Sequence, residues 1–252
     1  MYVFASGSKG NASLIYNDKT SILIDDGLSL SSLESNLKDV DKNIKDIDAI
    51  LITHNHSDHI SGLKFLKNKK IYCLSNIYND LFPKLKENTI IPFNLEDKLQ
   101  IGDFNIEILK TYHDALDSCG FLINENYTSL VYITDTGKLT KKILNKIKNK
   151  NYYFIESNHD IKMLLESKRP KFLIDRIKSN HGHLSNEQCG TYLSKIIGDK
   201  TCKICLAHLS QDCNNEELAL NAVLSILENN NFANYKDKIM CARQFEGRFF
   251  IC

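Results

Sequence analysis

Short apolar runs alternate along this chain with longer stretches patterned at helical spacing. Residues 1–6 read as a strand, and 12–15 with 21–24 as a hairpin around Asn17-Asp18-Lys19. Residues 28–37 carry helical periodicity. Residues 48–53 are a nearly continuous apolar run, as expected of a strand buried on both faces. A short helix is expected over 61–67, then strands over 71–74, 90–93, 99–101 and 104–110. Residues 121–123 and 130–134 pair as a second hairpin, 138–148 form a basic amphipathic helix, and 152–156 and 204–207 are strands. Helices over 186–197 and 216–228 and a closing strand over 244–251 complete an α/β pattern. With three Pro and no long Ser/Gly tract, no linker is visible, and 1–252 reads as a single domain.

One pattern recurs. Thr20-Ser-Ile-Leu-Ile-Asp25-Asp-Gly27 and Thr128-Ser-Leu-Val-Tyr-Ile-Thr-Asp135-Thr-Gly137 are both apolar strands that end in Asp-x-Gly. Each puts a carboxylate at a strand end and then a Gly that tolerates a sharp exit. Two half-domains, or two unrelated hairpins, account for the echo equally well.

Composition removes some classes. No apolar run approaches the roughly 20 residues of a membrane helix, and the N-terminus lacks a basic-then-apolar leader. The expected location is the cytoplasm, with no membrane partner. The eight Cys are therefore expected as thiols, Cys202 and Cys205 included. Lys plus Arg (32) almost balance Asp plus Glu (31), so net charge gives no general pull towards nucleic acid. A local basic wall remains available in Lys141, Lys142, Lys146, Lys148, Lys150, Lys168, Arg169, Arg176 and Lys178.

The chemistry sits in Thr53-His54-Asn55-His56-Ser57-Asp58-His59, directly after the apolar strand. Three imidazoles and a carboxylate in six residues are the donors that borderline divalent metals take. His54 and His56, two apart in extended chain, project to the same side. Asp58 and His59, past the turn, can address a second ion. Further donors follow other apolar strands: His113, Asp135 and His208.

This pattern resembles the metallo-β-lactamase superfamily. The H-x-H-x-D-H run carries the likeness, which extends from Ser6-Gly-Ser-Lys-Gly-Asn11 to Leu206-Ala-His208-Leu-Ser210. The resemblance implies an αββα sandwich, two mixed sheets flanked by helices. It implies two divalent metal ions, zinc by default and manganese or iron as alternatives. His54, His56, His113 and Asp135 would hold the first ion, and Asp58, His59, Asp135 and His208 the second. Asp25 matches the family's strand-end Asp, which supports a ligand from behind.

Phe154-Ile-Glu156-Ser-Asn158-His159 and His181-Gly-His183-Leu-Ser185-Asn186 narrow the branch. In the tRNase Z-like phosphodiesterases a His at the second position protonates the leaving group, and a Glu at the first orients it. By resemblance His183 is that acid and Glu156 its partner, with Asp58 aiming the nucleophile. Asn158, His159, Ser185 and Asn186 are candidate substrate contacts; Ser185 or Asn186 is also a natural helix N-cap. Together these segments resemble the WalJ family, also called YycJ or VicX. That resemblance implies a nuclease, exonucleolytic on double-stranded DNA. The rival readings are a tRNase Z-like RNA nuclease, a glyoxalase II-like thioester hydrolase, and a non-catalytic metal-binding regulator.

Overall fold

The computed structural model describes residues 1–251. The strands are β1 (Tyr2–Ala5), β2 (Ala12–Tyr16), β3 (Ser21–Ile24), β4 (Ala49–Leu51), β5 (Lys70–Leu74), β6 (Thr89–Phe93), β7 (Lys98–Ile101), β8 (Phe104–Lys110), β9 (Cys119–Glu125), β10 (Thr128–Ile133), β11 (Tyr152–Glu156), β12 (Lys203–Ala207), β13 (Ile239–Cys241) and β14 (Arg248–Phe249). The helices are α1 (Leu30–Lys38), α2 (Ser57–Ile60), α3 (Ser75–Leu81), α4 (Lys141–Lys146), α5 (Ile161–Glu166), α6 (Lys171–Lys178), α7 (Asn186–Ile196) and α8 (Glu216–Asn229). The strands form two mixed seven-stranded sheets, ordered β14-β1-β2-β3-β4-β5-β6 and β13-β12-β11-β10-β9-β8-β7. Among the described residues, no helix is long and apolar enough to cross a membrane.

The chain divides into two compact units. One comprises Met1–Ile108, Ala115–Cys119 and the stretch from Arg243; the other comprises Leu109–Asp114 and Gly120–Ala242. In the first, β1, β2 and β3 run antiparallel, and β3 to β6 run parallel. The β2–β3 turn forms where expected because Asn17 Oδ1 accepts from the backbone N–H of Lys19 (2.9 Å) and Thr20 (2.8 Å). Strands β3 and β4 are buried throughout. Burial on both faces explains their unbroken apolar sequence.

In the second unit β9 and β10 form an antiparallel hairpin, and β10 to β13 run parallel. Val131, Ile133, Tyr153, Ile155, Ile204 and Leu206 pack with Leu193 and Ile196 of α7 and Val223 and Leu227 of α8 in one buried cluster. Each such side chain contributes about 1.5–3 kcal/mol. Helix α7 starts sharply because Ser185 and Gln188 form a capping box.

Several elements differ from expectation. The helix expected over 61–67 is one turn, α2, beginning earlier at Ser57, followed by a 3-10 turn at Leu63–Phe65. Gly62 separates them: a Cβ there would lie 2.5 Å from Leu28 O and from Asp26 Oδ2, so tertiary packing sets the boundary. The 138–148 helix shortens to α4, capped by Thr140. Of 244–251 only β14 is strand, paired with β1. Cys202 is exposed, whereas Cys205 is buried in β12; both are thiols.

Candidate metal centre

In the first unit the histidine-rich turn is held from behind by Asp25. This residue directly follows β3 in the left-handed region (φ 57°) and is fully buried. Asp occupies that region more readily than most residues, at a cost of order 1–3 kcal/mol that surrounding contacts must offset. Those contacts are present. Asp25 accepts from Thr53 N (2.8 Å) and Thr53 Oγ1 (2.8 Å), and its Oδ2 lies 2.7 Å from His59 Nδ1. Burial pushes the Asp25 carboxyl up; His59 and Thr53 oppose that rise.

With Nδ1 engaged, His59 presents Nε2, which lies 3.5 Å from Asp58 Oδ2. The His54 ring lies 4.0 Å from the His59 ring and 4.7 Å from that of His56, centroid to centroid. Asn11, which in the sequence only ends the 6–11 segment of the family likeness, is a further member of this group. Its orientation is set by Gly7, which donates N–H to Oδ1 (2.9 Å) and accepts from Nδ2 (3.0 Å). Nδ2 then reaches Asp58 Oδ2 (3.2 Å) and His59 Nε2 (3.0 Å). Gly27 N–H donates to Asn11 O, and Asn11 N–H to Asp58 O. A Cβ on Gly27 would fall 1.7 Å from Asp58 O, so only Gly allows this approach. Beside it, burial pushes the Asp26 carboxyl up to about 7.

In the second unit three consecutive parallel strands end in chemistry: Asp135 after β10, Glu156 closing β11, and His208 after β12. Asp135 (φ 45°) and His208 (φ 55°) share the left-handed backbone of Asp25. Asp135, Glu156, His183 and His208 each offer an atom within 4.8 Å of the others. Glu156 organises the group. Its Oε2 accepts from the N–H of Thr136 (2.9 Å) and Leu184 (3.0 Å); its Oε1 faces Nδ1 of His183 (2.7 Å) and of His208 (3.0 Å). Burial alone would raise this carboxyl, but His183 and the hydrogen bonds from both imidazoles bring it down to about 2. His113 Nδ1 lies 3.0 Å from Gly182 O, and its Nε2 lies 3.8 Å from Asp135 Oδ1. Burial, more than any neighbour, holds His113 below its ordinary value, which favours the neutral, metal-binding imidazole.

These donors suit a divalent metal. Nδ1 of His59, His113 and His208 is engaged by a carboxylate or a carbonyl, so Nε2 is the atom each offers. Carboxylates of Asp58 and Asp135 lie alongside. The four candidate substrate contacts are placed differently, buried and tied into the scaffold. Asn158 Nδ2 donates to His208 O (2.9 Å), and Ser185 caps α7. Asn186 exchanges hydrogen bonds with Asn214 and Ser157, and His159 bridges to Ser185.

A family model described as the beta-lactamase superfamily domain matches residues 20–204. The chain belongs to the metallo-β-lactamase superfamily. Within that superfamily it is 36% identical over 236 residues to exodeoxyribonuclease YycJ of Bacillus anthracis, covering 91% of this chain and 89% of the relative. It is 34% identical to exodeoxyribonuclease WalJ of Streptococcus pneumoniae strain D39, covering 86% and 84%. It is therefore a member of the WalJ/YycJ family. The fold matches that of the metallo-β-lactamase fold protein YhfI from Bacillus subtilis, with a TM-score of 0.73, 18% identity and 98% of both chains covered. The chain is a metal-dependent hydrolase of this superfamily.

Proposed function

We propose that this hydrolase is a dinuclear phosphodiesterase that degrades double-stranded DNA from an end, in the cytoplasm. The observation that carries the phosphodiesterase part is the Glu156–His183 contact at 2.7 Å. Metal binding alone does not require this pair, whereas expulsion of an alkoxide from phosphorus benefits from a positioned acid. The DNA and exonuclease parts rest on the two relatives named exodeoxyribonuclease.

By resemblance to the superfamily, His54, His56, Asp58 and His59 would serve with His113, Asp135 and His208 as ligands for two divalent ions, zinc by default and manganese or iron as alternatives. Such ions supply Lewis acidity, lowering the pKa of water and neutralising charge on phosphoryl oxygens. Asp58 accepts a hydrogen bond from the attacking water and aims it at phosphorus. His183 holds a proton on Nε2 for the departing sugar oxygen. Glu156 fixes the His183 tautomer by accepting from Nδ1. Asn158, Ser185 and Asn186 keep these groups in register rather than touching substrate.

The test is turnover of bis(p-nitrophenyl) phosphate beside a thioester by the metal-loaded chain. The proposal expects the phosphodiester to be hydrolysed; exclusive thioester hydrolysis would favour the glyoxalase II-like reading.

A further inference from the structure

Between β11 and α7 the chain folds as α5 and α6, with a small apolar centre of its own. Leu164, Ile177 and Cys213 are buried there, and Met163, Leu173 and Ile174 pack against them. Asp160 caps α5 by accepting from Met163 N–H at 2.8 Å. These contacts fix the inner face of α6. Phe172 lies outside them and is 74% exposed, and Arg176, one helical turn on, is exposed beside it. Lys168, Lys171 and Lys178 are exposed on the same segment, and Arg169 pairs with Asp212 at 2.8 Å.

This helix leads directly into the candidate acid. Arg176 pairs with Asp114, whose Oδ1 lies 3.3 Å from His113 Nε2. Ile177 O accepts from His183 N–H at 2.9 Å. The intervening Gly182 lends its carbonyl to His113, and a Cβ on it would meet Ile177 O at 2.1 Å. A ligand seated on α6 is thus one short, tightly packed turn from His183.

An exposed phenyl ring with a guanidinium one helical turn on, and Asp175 beside them, has the makeup of a surface that takes an unpaired base. The ring offers a face for stacking, and Arg176 meets the flanking phosphate. The pairs now made by Arg176 and Arg169 are solvent-exposed and worth at most about 1 kcal/mol each, so phosphates displace the carboxylates at little cost. Resting on the phosphodiesterase reading, we infer that the outer face of α6 is a stacking ledge for an unpaired nucleotide of the substrate strand. Phe172 lies under the base, and Arg176, one turn on, holds the adjoining phosphate. An exonuclease must part the terminal pair to present one strand for cleavage. A ledge of this kind stabilises the parted end.

The chain contains no Trp, so Phe172→Trp creates a single reporter at the ledge. Metal-loaded F172W is titrated with a short phosphorothioate-linked oligothymidylate, which resists cleavage, and with an abasic oligomer of equal length. Binding of the thymidylate to wild type and Phe172→Ala is measured by anisotropy, and melting curves verify that both variants are folded. The expected results are quenching of F172W by the oligothymidylate but not by the abasic oligomer, and affinity about 10-fold weaker in F172A. Absence of quenching, equal quenching by the abasic oligomer, or unchanged affinity in a folded F172A overturns the ledge. Loss of the functional reading shows separately, as no hydrolysis of bis(p-nitrophenyl) phosphate by the metal-loaded wild type.

Discussion

Asp25 Oδ2 lies 2.7 Å from His59 Nδ1, and Thr53 holds the same carboxylate through both its N–H and its hydroxyl. Asp25 thus fixes which nitrogen His59, a proposed metal ligand, presents. Replacing Asp25 with Ala leaves His59 free to rotate. Metal affinity should fall about 10–100-fold, measured by competition with a chelating dye. Unchanged affinity in a folded variant would remove Asp25 from the account.

Glu156 gives a sharper test, because it contacts two imidazoles through one oxygen. His183→Ala should lower kcat about 10²–10⁴-fold with bound metal unchanged. Metal loss in that variant would mean that His183 is a ligand instead of an acid. Glu156→Gln should affect both kcat and metal content, since the same oxygen orients His208.

Asp58→Ala should remove nearly all turnover, because the residue is assigned both to a metal and to the nucleophile. Gly27→Ala probes the same residue through its backbone. With its new Cβ 1.7 Å from Asp58 O, the turn must shift. Activity should drop with no titratable group altered, and full activity would show that the Asp58 position is less restricted than the packing implies.

Stability should depend on pH through His159. Burial holds this imidazole down at about 4, against an ordinary 6.5. As pH falls, the unfolded chain takes up the proton first. The stabilisation is therefore complete above 6.5 and is lost progressively towards 4. The full span corresponds to about 3 kcal/mol as an upper bound. Urea unfolding of the metal-free chain across this range should show a shallower pH dependence in His159→Gln than in wild type. Parallel curves would contradict the assignment.

Most of the fold could be read from the chain because parallel strands buried on both faces leave unbroken apolar runs, as in β3, β4, β10 and β12. The positions of the second unit's candidate site residues could be read for the same reason. Glu156 and His208 are the polar residues at which two such runs stop, and Asp135 follows the third after Thr134. The echo between 20–27 and 128–137 has a structural counterpart in the shared left-handed backbone of Asp25 and Asp135. Asn11 was obscure because its role depends on Gly7 and Asp58, contacts that no local spacing encodes. Helices α5 and α6 were missed because each is less than three turns long and is bounded by Ser167 and Pro170. Their stability comes from a tertiary cluster with Cys213. The buried state of Asn158, His159, Ser185 and Asn186 was equally invisible, since polar residues usually imply exposure.

End-labelled duplex DNA incubated with the metal-loaded chain, zinc and manganese separately, tests the central claim most directly. The account predicts stepwise release of nucleotides from one end, abolished by chelation and by Asp58→Ala. Intact duplex, from a preparation that carries its metal and hydrolyses a thioester, would contradict it.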